Sequence, residues 1–364
     1  MEINDIIQYL ETIAPPALQE TYDNSGLLVG NKHEKVKGVL LCLDAVEEVI
    51  DEAIEKKCNL VIAHHPIIFS GLKKLTGKNY VERTILKAIK NDIAIYAIHT
   101  NLDNVQIGVN AQIGKILGIK NPKILSPKKG MLKKLYTYVP IENTQEVLNA
   151  LFEAGAGHVG NYSECSFSVQ GQGTFMGSEN TNPYVGKKEI RHTENENKIE
   201  VLLPFWKENQ IINALKKAHP YEEVAYEVIS IDNYHQEIGS GMIGDLDQPM
   251  EENEFLQFLK EKMKTSCIRH TKLLNKKVQK IAWCGGAGFF LLKDAIHSNA
   301  DIYITSDVKY HEFFDAENKI ILADIGHYES EQFTIQLFND LLKEKFGNFA
   351  LHFTNFDTNP INYI

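Results

Sequence analysis

The sequence predicts an α/β protein in which two α/β lobes flank an inserted α+β domain of ferredoxin-like order. Three observations carry this reading. Short apolar runs of strand length alternate with helix-period segments in the first and last thirds. The rhythm changes after a stretch rich in Pro, Lys and Gly at residues 122–130. The length, 364 residues, suits two or three domains rather than one small one.

The elements follow in order. Residues 1–16, MEINDIIQYLETIAPP, read as a short amphipathic helix. KGVLLCLD (37–44), LVIAHHP (60–66) and IAIYAIHTNLD (93–103) read as buried strands, the second stopped by its proline. Helical patterns lie between and after them at 47–57, 80–90 and 110–117. Strands alternating with helices imply parallel pairing. Residues 122–130 then read as a linker. Beyond it, LYTYVP (135–140), a helix at 144–154, strand-like pieces in a Gly- and Ser-rich stretch to 186, KIEVLLP (198–204), a helix at 207–218 and VAYEVISI (224–231) give a βαββαβ order. The α/β rhythm returns with GSGMIGDL (239–246) and a helix at 251–263. KIAWCGGAGFFLLKDAI (280–296) reads as strand, glycine turn and helix, and DIYITSD (301–307) as a strand. IILADIGHYESE (320–331) is a strand running into a helix that continues to 346, and ALHFT (350–354) is a last strand. The expected boundaries are 1–130, 131–235 and 236–364.

Composition narrows the function. Hydrophobic residues make up 43% and charged residues 24%, so a sizeable core can form. The net charge of −10 argues against general nucleic-acid binding, because an acidic surface repels phosphate backbones. Cys42, Cys58, Cys165, Cys267 and Cys284 are scattered, odd in number and form no C-x-x-C pair. Buried, reduced cysteines in a cytoplasmic protein are therefore expected, rather than a disulfide framework or a thiolate zinc site. Cys284, beside two glycines, is the cysteine that could be reactive. The N-terminal helix lacks the basic and apolar regions of a signal peptide, and no apolar stretch has the length of a membrane span.

Three places put ligand-type side chains just past the end of a buried strand, where open α/β sheets bind ligands. His64 and His65 leave one strand end, and neighbouring side chains there splay apart, so each imidazole could serve a different metal. Taken alone they would serve equally well as hydrogen-bonded core histidines. His99 and Asp103 follow the next strand. Asp103 suits a carboxylate ligand, though alone it reads better as a helix N-cap, and His99 could ligate or orient a ligand. His327 and Glu331 stand four apart at a helix start and share a face, a weak signal by itself. Together, three histidines and two carboxylates are too few for two closed structural sites. They suit two cations sharing a bridging carboxylate, with coordination left open for water. Mixed nitrogen and oxygen donors favour zinc, with iron, manganese or cobalt as alternatives, over calcium or magnesium.

Other segments rank lower. Cys284-Gly285-Gly286-Ala287-Gly288 could cradle a phosphate, but it lacks dinucleotide spacing and a Walker lysine, so a tight structural turn is favoured. Tyr22-Asp23-Asn24-Ser25-Gly26 reads as a turn whose polar side chains could line a pocket. From residues 306–312, SDVKYHE, His311 is chosen as an acid–base candidate.

At these residues the chain resembles a known family. YDNSGLLVG, AHHP, HTNLD, TSDVKYHE and GHYESE, in this order, resemble the Ngg-interacting-factor family, whose bacterial members are often labelled GTP cyclohydrolase 1 type 2 homologues. The resemblance covers residues 1–130 and 238–364. It implies a dinuclear metal centre at His64, His65, Asp103, His327 and Glu331, with Glu331 bridging. It also implies a toroidal homohexamer, a trimer of dimers, with the sites facing an internal cavity. HPYEEVAYE (219–227) and GQGTF (171–175) give the insert a second resemblance, to the PII/CutA-like domain of longer bacterial members. GQGTF runs into MGSENTNP, looser than that domain's pattern. The expected architecture is thus two three-layer α/β lobes with mixed sheets forming one metal-binding unit, plus a PII/CutA-like insert.

Three functions compete. The leading one is a hydrolase with two divalent transition metal ions per chain, acting on a small, nucleotide-like molecule through an activated water, with His99 or His311 as proton carrier. A purine pocket, which ring-opening of GTP would need, is not visible in the sequence. The second is a non-enzymatic metal-binding or regulatory assembly whose insert senses a ligand. The third is an interaction protein whose metals only hold the lobes together.

Overall fold

The structure is a computed structural model describing residues 1–347 and 349–364. The chain divides into two compact units, one of Met1–Ser126 with Glu237–Ile364 and one of Pro127–Gln236. The sequence-derived boundaries stand at 131 and 235.

The first unit begins with strands β1 (Gly26–Val29), β2 (Val39–Asp44), β3 (Leu60–His65), β4 (Ala94–Ala97) and β5 (Lys120–Lys128). The second holds β6 (Leu132–Pro140), β7 (Ser166–Phe175), β8 (His192–Pro204) and β9 (Tyr226–Ile231). The chain returns to the first through β10 (His235–Glu251), β11 (Arg269–His270), β12 (Lys277–Trp283), β13 (Ile302–Thr305), β14 (Ile321–Asp324) and β15 (Leu351–Phe353).

Two mixed sheets build the first unit, in the orders β1-β4-β3-β2-β15 and β11-β14-β13-β12-β10-β5. In one, β15, β2, β3 and β4 run parallel and β1 is antiparallel at the edge. In the other, β12, β13 and β14 are parallel, flanked by antiparallel β10 and β11. β2 and β3 are buried from end to end except at their last residues, Asp44 and His65. That is what near-continuous apolar runs become when helices cover both faces of a parallel sheet. Helices Glu47–Glu55 and Tyr80–Lys90 are connections of this kind, the second capped by the Asn79 side chain accepting from Glu82 N–H at 2.9 Å.

The structure corrects several expectations. Residues 122–130 are no linker, because most of them lie in β5, the last strand of the second sheet. Pro122 and Pro127 are tolerated there because an edge strand need not donate on both sides. The segments 1–130 and 236–364 are also not self-contained lobes. β15 completes the first sheet while β5 completes the second, so each sheet borrows a strand from the other end of the chain. The helix expected at 327–346 breaks into His327–Glu331 and Thr334–Phe346. Cys42, Cys58 and Cys284 are buried as expected, but Cys267 is exposed and Cys165 half-buried. Among the described residues no helix is long and apolar enough to cross a membrane.

The second unit runs β6, helix Thr144–Glu153, β7, β8, helix Glu208–Ala218, β9, with sheet order β7-β8-β6-β9 and every neighbouring pair antiparallel. This is the split βαβ arrangement of the ferredoxin-like order. One sheet face packs on the helices through Leu135, Val139, Ile199, Val201 and Leu203.

Trp283, fully buried at the end of β12, ties the parts of the first unit together. Its indole N–H donates to the Asn110 carbonyl at 2.7 Å, and its ring leaves so little room that a Cβ on Gly114 would lie 2.7 Å from it. Trp283→Ala is expected to cost about 3–5 kcal/mol, the range for emptying a packed aromatic site. Chemical denaturation should show this as a lower transition midpoint, and an unchanged midpoint would mean the ring is not a core element.

Candidate metal centre

The ligand-type residues gather because the carboxyl ends of the parallel strands open on one side. β3 delivers His64 and His65, and Pro66 stops the strand there. The chain leaving β4 reaches His99 and the short helix Thr100–Asp103. From the second sheet, β14 leads through Gly326 to the helix His327–Glu331. Gly326 has φ +93°, and a Cβ there would meet Glu329 Oε2 at 2.1 Å, so only glycine makes this turn.

Each imidazole is held by its Nδ1. His64 donates to the Ile98 carbonyl at 3.0 Å, His65 pairs with Asp44 at 2.7 Å, His327 with Asp307 at 2.6 Å and His99 with Asp23 at 2.7 Å. A carbonyl can only accept, so His64 carries its proton on Nδ1 and turns a lone pair inward at Nε2. Outer partners of this kind fix the ring and tautomer of metal-ligating histidines.

The inward atoms form groups that share Glu331, which is 3% exposed. Its Oε1 lies 3.7 Å from His64 Nε2, which is itself 3.7 Å from Asp103 Oδ1. Its Oε2 lies 2.9 Å from His65 Nε2 and 3.1 Å from His327 Nε2. A third group joins His64, His65 and His99. His64 Nε2 and Asp103 Oδ1 are buried with no hydrogen-bond partner. A buried lone pair and a buried carboxylate oxygen without donors are costly, and a cation between them would satisfy both.

The electrostatics agree. Burial and the Glu331 charge push the Asp103 carboxyl up to about 8. Burial would also raise Glu331, but the charge and hydrogen bond of His327 outweigh it and hold it well below the ordinary carboxylate range. Burial would lower His65, yet its hydrogen bonds to Asp44 and Glu331 push it up to about 9. His327 likewise rises to about 11 against burial, through the Glu331 charge and the Asp307 hydrogen bond. Without a cation, protons take its place among these donors.

The structure thus brings His64, His65, His99, Asp103, His327 and Glu331 together. It does not bring His311, which is exposed on the 3-10 turn Tyr310–Ala316 beside Tyr310 and Phe314. The residue of that motif at the site is Asp307, whose left-handed backbone, φ 55°, turns its carboxylate to His327. Asp103 does not cap the following helix, where Gly108 stands. Asp23, Asp44 and Asp307 are the residues sequence reasoning missed as partners of the histidines. Asp44 left a signal as an acid ending an apolar run, and it sits opposite His65 in the β2–β3 register.

The turn 284–288 is structural. Its Gly285, Gly286 and Gly288 N–H groups are already used by Asn110, Ser330 and Thr305 at 3.0, 2.9 and 2.9 Å, so they are not available to a phosphate. Burial pushes the Cys284 thiol up, which keeps it protonated and weakly nucleophilic. A cavity of about 490 Å3 opens over the site, with His65, His99 and Glu331 in its lining and Tyr22, Phe69 and Phe290 on its walls. That volume suits a small ligand.

Gly286 has φ +63°, and a Cβ on it would fall 2.4 Å from Glu331 Oε1. Gly286→Ala should therefore displace the shared carboxylate while the fold survives. The expected result is a normal circular dichroism spectrum with metal uptake clearly reduced; full uptake would mean Glu331 is dispensable as placed.

Comparison with known proteins follows the same lines. The family model of Duf34/NIF3 (NGG1p interacting factor 3) matches residues 1–360. A Bacillus subtilis protein named GTP cyclohydrolase 1 type 2 homolog is 38% identical over 365 residues, 99% of this chain and 98% of the relative. A Staphylococcus aureus protein of the same name is 33% identical over 369 residues, covering both chains fully. The crystal structure of a Bacillus cereus protein related to NIF3 superposes with a TM-score of 0.88 at 36% identity, over 100% of this chain and 99% of that one. With a family match over nearly its whole length and relatives this similar from end to end, the chain belongs to the Duf34/NIF3 family.

Proposed function

We propose that this chain is a dinuclear metal-binding protein that acts as a metal-dependent hydrolase on a small, nucleotide-like molecule. The observation that carries the reading is Glu331, whose two oxygens face different donor groups, one with His64 and Asp103 and one with His65 and His327. His64, Asp103, His65 and His327 would hold two divalent cations with Glu331 between them. Nitrogen and oxygen donors of this kind suit zinc, or iron, manganese or cobalt. Bound there, the cations would supply Lewis acidity and make water a nucleophile near neutral pH.

The chain's own residues supply the rest. His99, its Nδ1 committed to Asp23, keeps Nε2 for taking or giving a proton at the cavity wall. Burial alone would raise Asp23, but hydrogen bonds from His99 and Thr100 outweigh it and hold the carboxyl below its usual range, so it stays an anion that orients the imidazole. Tyr22 and Phe69, with ring centroids 6.3 Å apart, offer flat faces for a ring-bearing substrate. The name of the curated relatives would make that ring a purine.

A second reading, a non-enzymatic metal-binding or sensing assembly, is favoured by one observation: the inserted unit has a cavity of its own. Under it the βαββαβ insert is a PII/CutA-like sensor, and the chains assemble in the cytoplasm as a homohexamer, a trimer of dimers. Hydrolysis of a nucleotide panel by the metal-loaded protein separates the readings, since turnover lost on His99→Ala with metal retained supports the first and no turnover of any substrate supports the second.

Glu331→Ala should remove both metals together in elemental analysis of untagged protein. Full metal content in that variant would refute the bridging role.

The raised groups also fix the sign of the pH response. The folded metal-free chain holds protons on Asp103, His65 and His327 that the unfolded chain releases near about 4 and about 6.5. Their stabilisation is complete below those unfolded values and is lost as pH rises through about 8, about 9 and about 11. The melting temperature of the metal-free protein should therefore fall between roughly pH 6.5 and 9. Metal loading needs deprotonated ligands, so the metal-dependent gain in melting temperature should grow over the same interval. Equal slopes with and without metal would separate these residues from metal binding.

A further inference from the structure

The inserted unit contains a cavity of about 620 Å3 that the metal centre does not use. It lies on the sheet face turned away from the helices. On β6, Leu135, Thr137 and Val139 fill the helix side, which leaves Tyr138 on the other. On β8, Ile199 and Val201 point to the helices, so Glu196 and Lys198 share the outer face with Tyr138. On β7, Val169 stands opposite Lys198, and Gly171 stands opposite Glu196.

Glycine makes the hollow. A Cβ on Gly171 would meet nothing within 4 Å, so the missing side chain leaves open space. A Cβ on Gly173 would fall 2.0 Å from Glu196 Oε2, so this glycine clears a place for the carboxylate. Glu196 is only 7% exposed, an unusual position for an acid on the open face of a sheet. Its Oε1 accepts from the Tyr221 hydroxyl at 2.8 Å. Around Tyr221 the rings of Phe175 and Tyr184 stand 6.0 and 6.3 Å away. Asn182 N–H donates to Glu222 at 2.7 Å and ties the covering loop to the segment that carries Tyr221.

The charge balance of this box is negative. Glu196, Glu222 and Glu223 line it, against Lys198 alone. The Lys198 ammonium is engaged by Glu200 at 3.4 Å and lies 4.4 Å from the centre of the Tyr136 ring. Aromatic rings around a buried carboxylate form the surroundings that attract an organic cation, through the ring faces and the fixed negative charge together. A cavity of this size accommodates a molecule with a hydrocarbon body as well as a charged head. We propose that the inserted unit binds a small organic cation, an ammonium or guanidinium compound, with its charged head at Glu196 and its body among Tyr138, Phe175, Tyr184 and Tyr221.

The test is calorimetric titration of the full-length protein with choline and with agmatine, beside the neutral isostere of choline that has carbon in place of nitrogen. At least one cation should bind and the isostere should not. Glu196→Gln keeps the shape and removes the charge, and should weaken binding by roughly tenfold or more. Gly171→Leu places a side chain in the hollow from a position whose Cβ meets nothing within 4 Å, and should abolish binding with an unchanged melting temperature. Gly171→Leu serves as the deciding variant if Glu196→Gln alters the fold. The proposal is overturned if neither cation binds at millimolar concentration, if the isostere binds as well as choline, or if Gly171→Leu leaves affinity intact.

Discussion

The shared carboxylate of Glu331 is the constraint on which the candidate site depends. A carboxylate that is 3% exposed needs strong compensation, because burying an unpaired charge is prohibitive. Compensation comes from His65 and His327 on one oxygen, while the other faces the unpartnered Nε2 of His64 across 3.7 Å. Those imidazoles are useful only if their rings cannot turn, and each is held at Nδ1 by a carbonyl or a carboxylate of its own. Gly286 leaves room for the carboxylate and Gly326 makes the turn that delivers its helix. The arrangement is one electrostatic unit, in which the acids Asp44 and Asp307 matter as much as the groups they orient.

The fold makes that unit possible by bringing two sets of parallel strand ends to one place. β3 and β4 supply one side of the cavity, while the chain beyond β13 and β14 supplies the other. The two sheets cannot come apart as independent lobes, because β5 and β15 each complete the sheet built mainly from the opposite end of the chain. Asn110 links this scaffold to the site directly. Its carbonyl accepts from the Trp283 indole N–H, its side-chain oxygen accepts from Gly285 N–H at 3.0 Å, and its side-chain amide donates to the Asp103 carbonyl at 3.3 Å. Core packing and ligand placement therefore share atoms.

The inserted unit uses a different device. Its sheet has one face in the core and one bare, as antiparallel sheets allow. On the bare face, two glycines opposite acids replace the side chains that would otherwise cover the strand. The cavity is made by what β7 lacks, whereas the candidate metal centre is made by what the strand ends add.

Much of this was legible in the sequence. Apolar runs at 37–44, 60–66 and 93–103 marked buried strands, because a strand covered on both faces must be apolar at nearly every position. Ligand-type residues just past those runs marked the open side of a sheet, and the order of the motifs pointed to the family that the comparisons establish. Other features were settled only by tertiary pairing. His65 meets a carboxylate 266 residues away, and no local pattern encodes that distance. Residues 122–130 have the composition of a linker and become an edge strand because a sheet from the far end of the chain is there to receive them. In SDVKYHE the choice between Asp307 and His311 depends on a single left-handed residue, which sends one side chain to His327 and leaves the other in solvent. Periodicity and strand-end position determine which side chains can reach a site, because they follow from local geometry. Which of them meet, and in what protonation state, depends on neighbours that only the folded chain supplies.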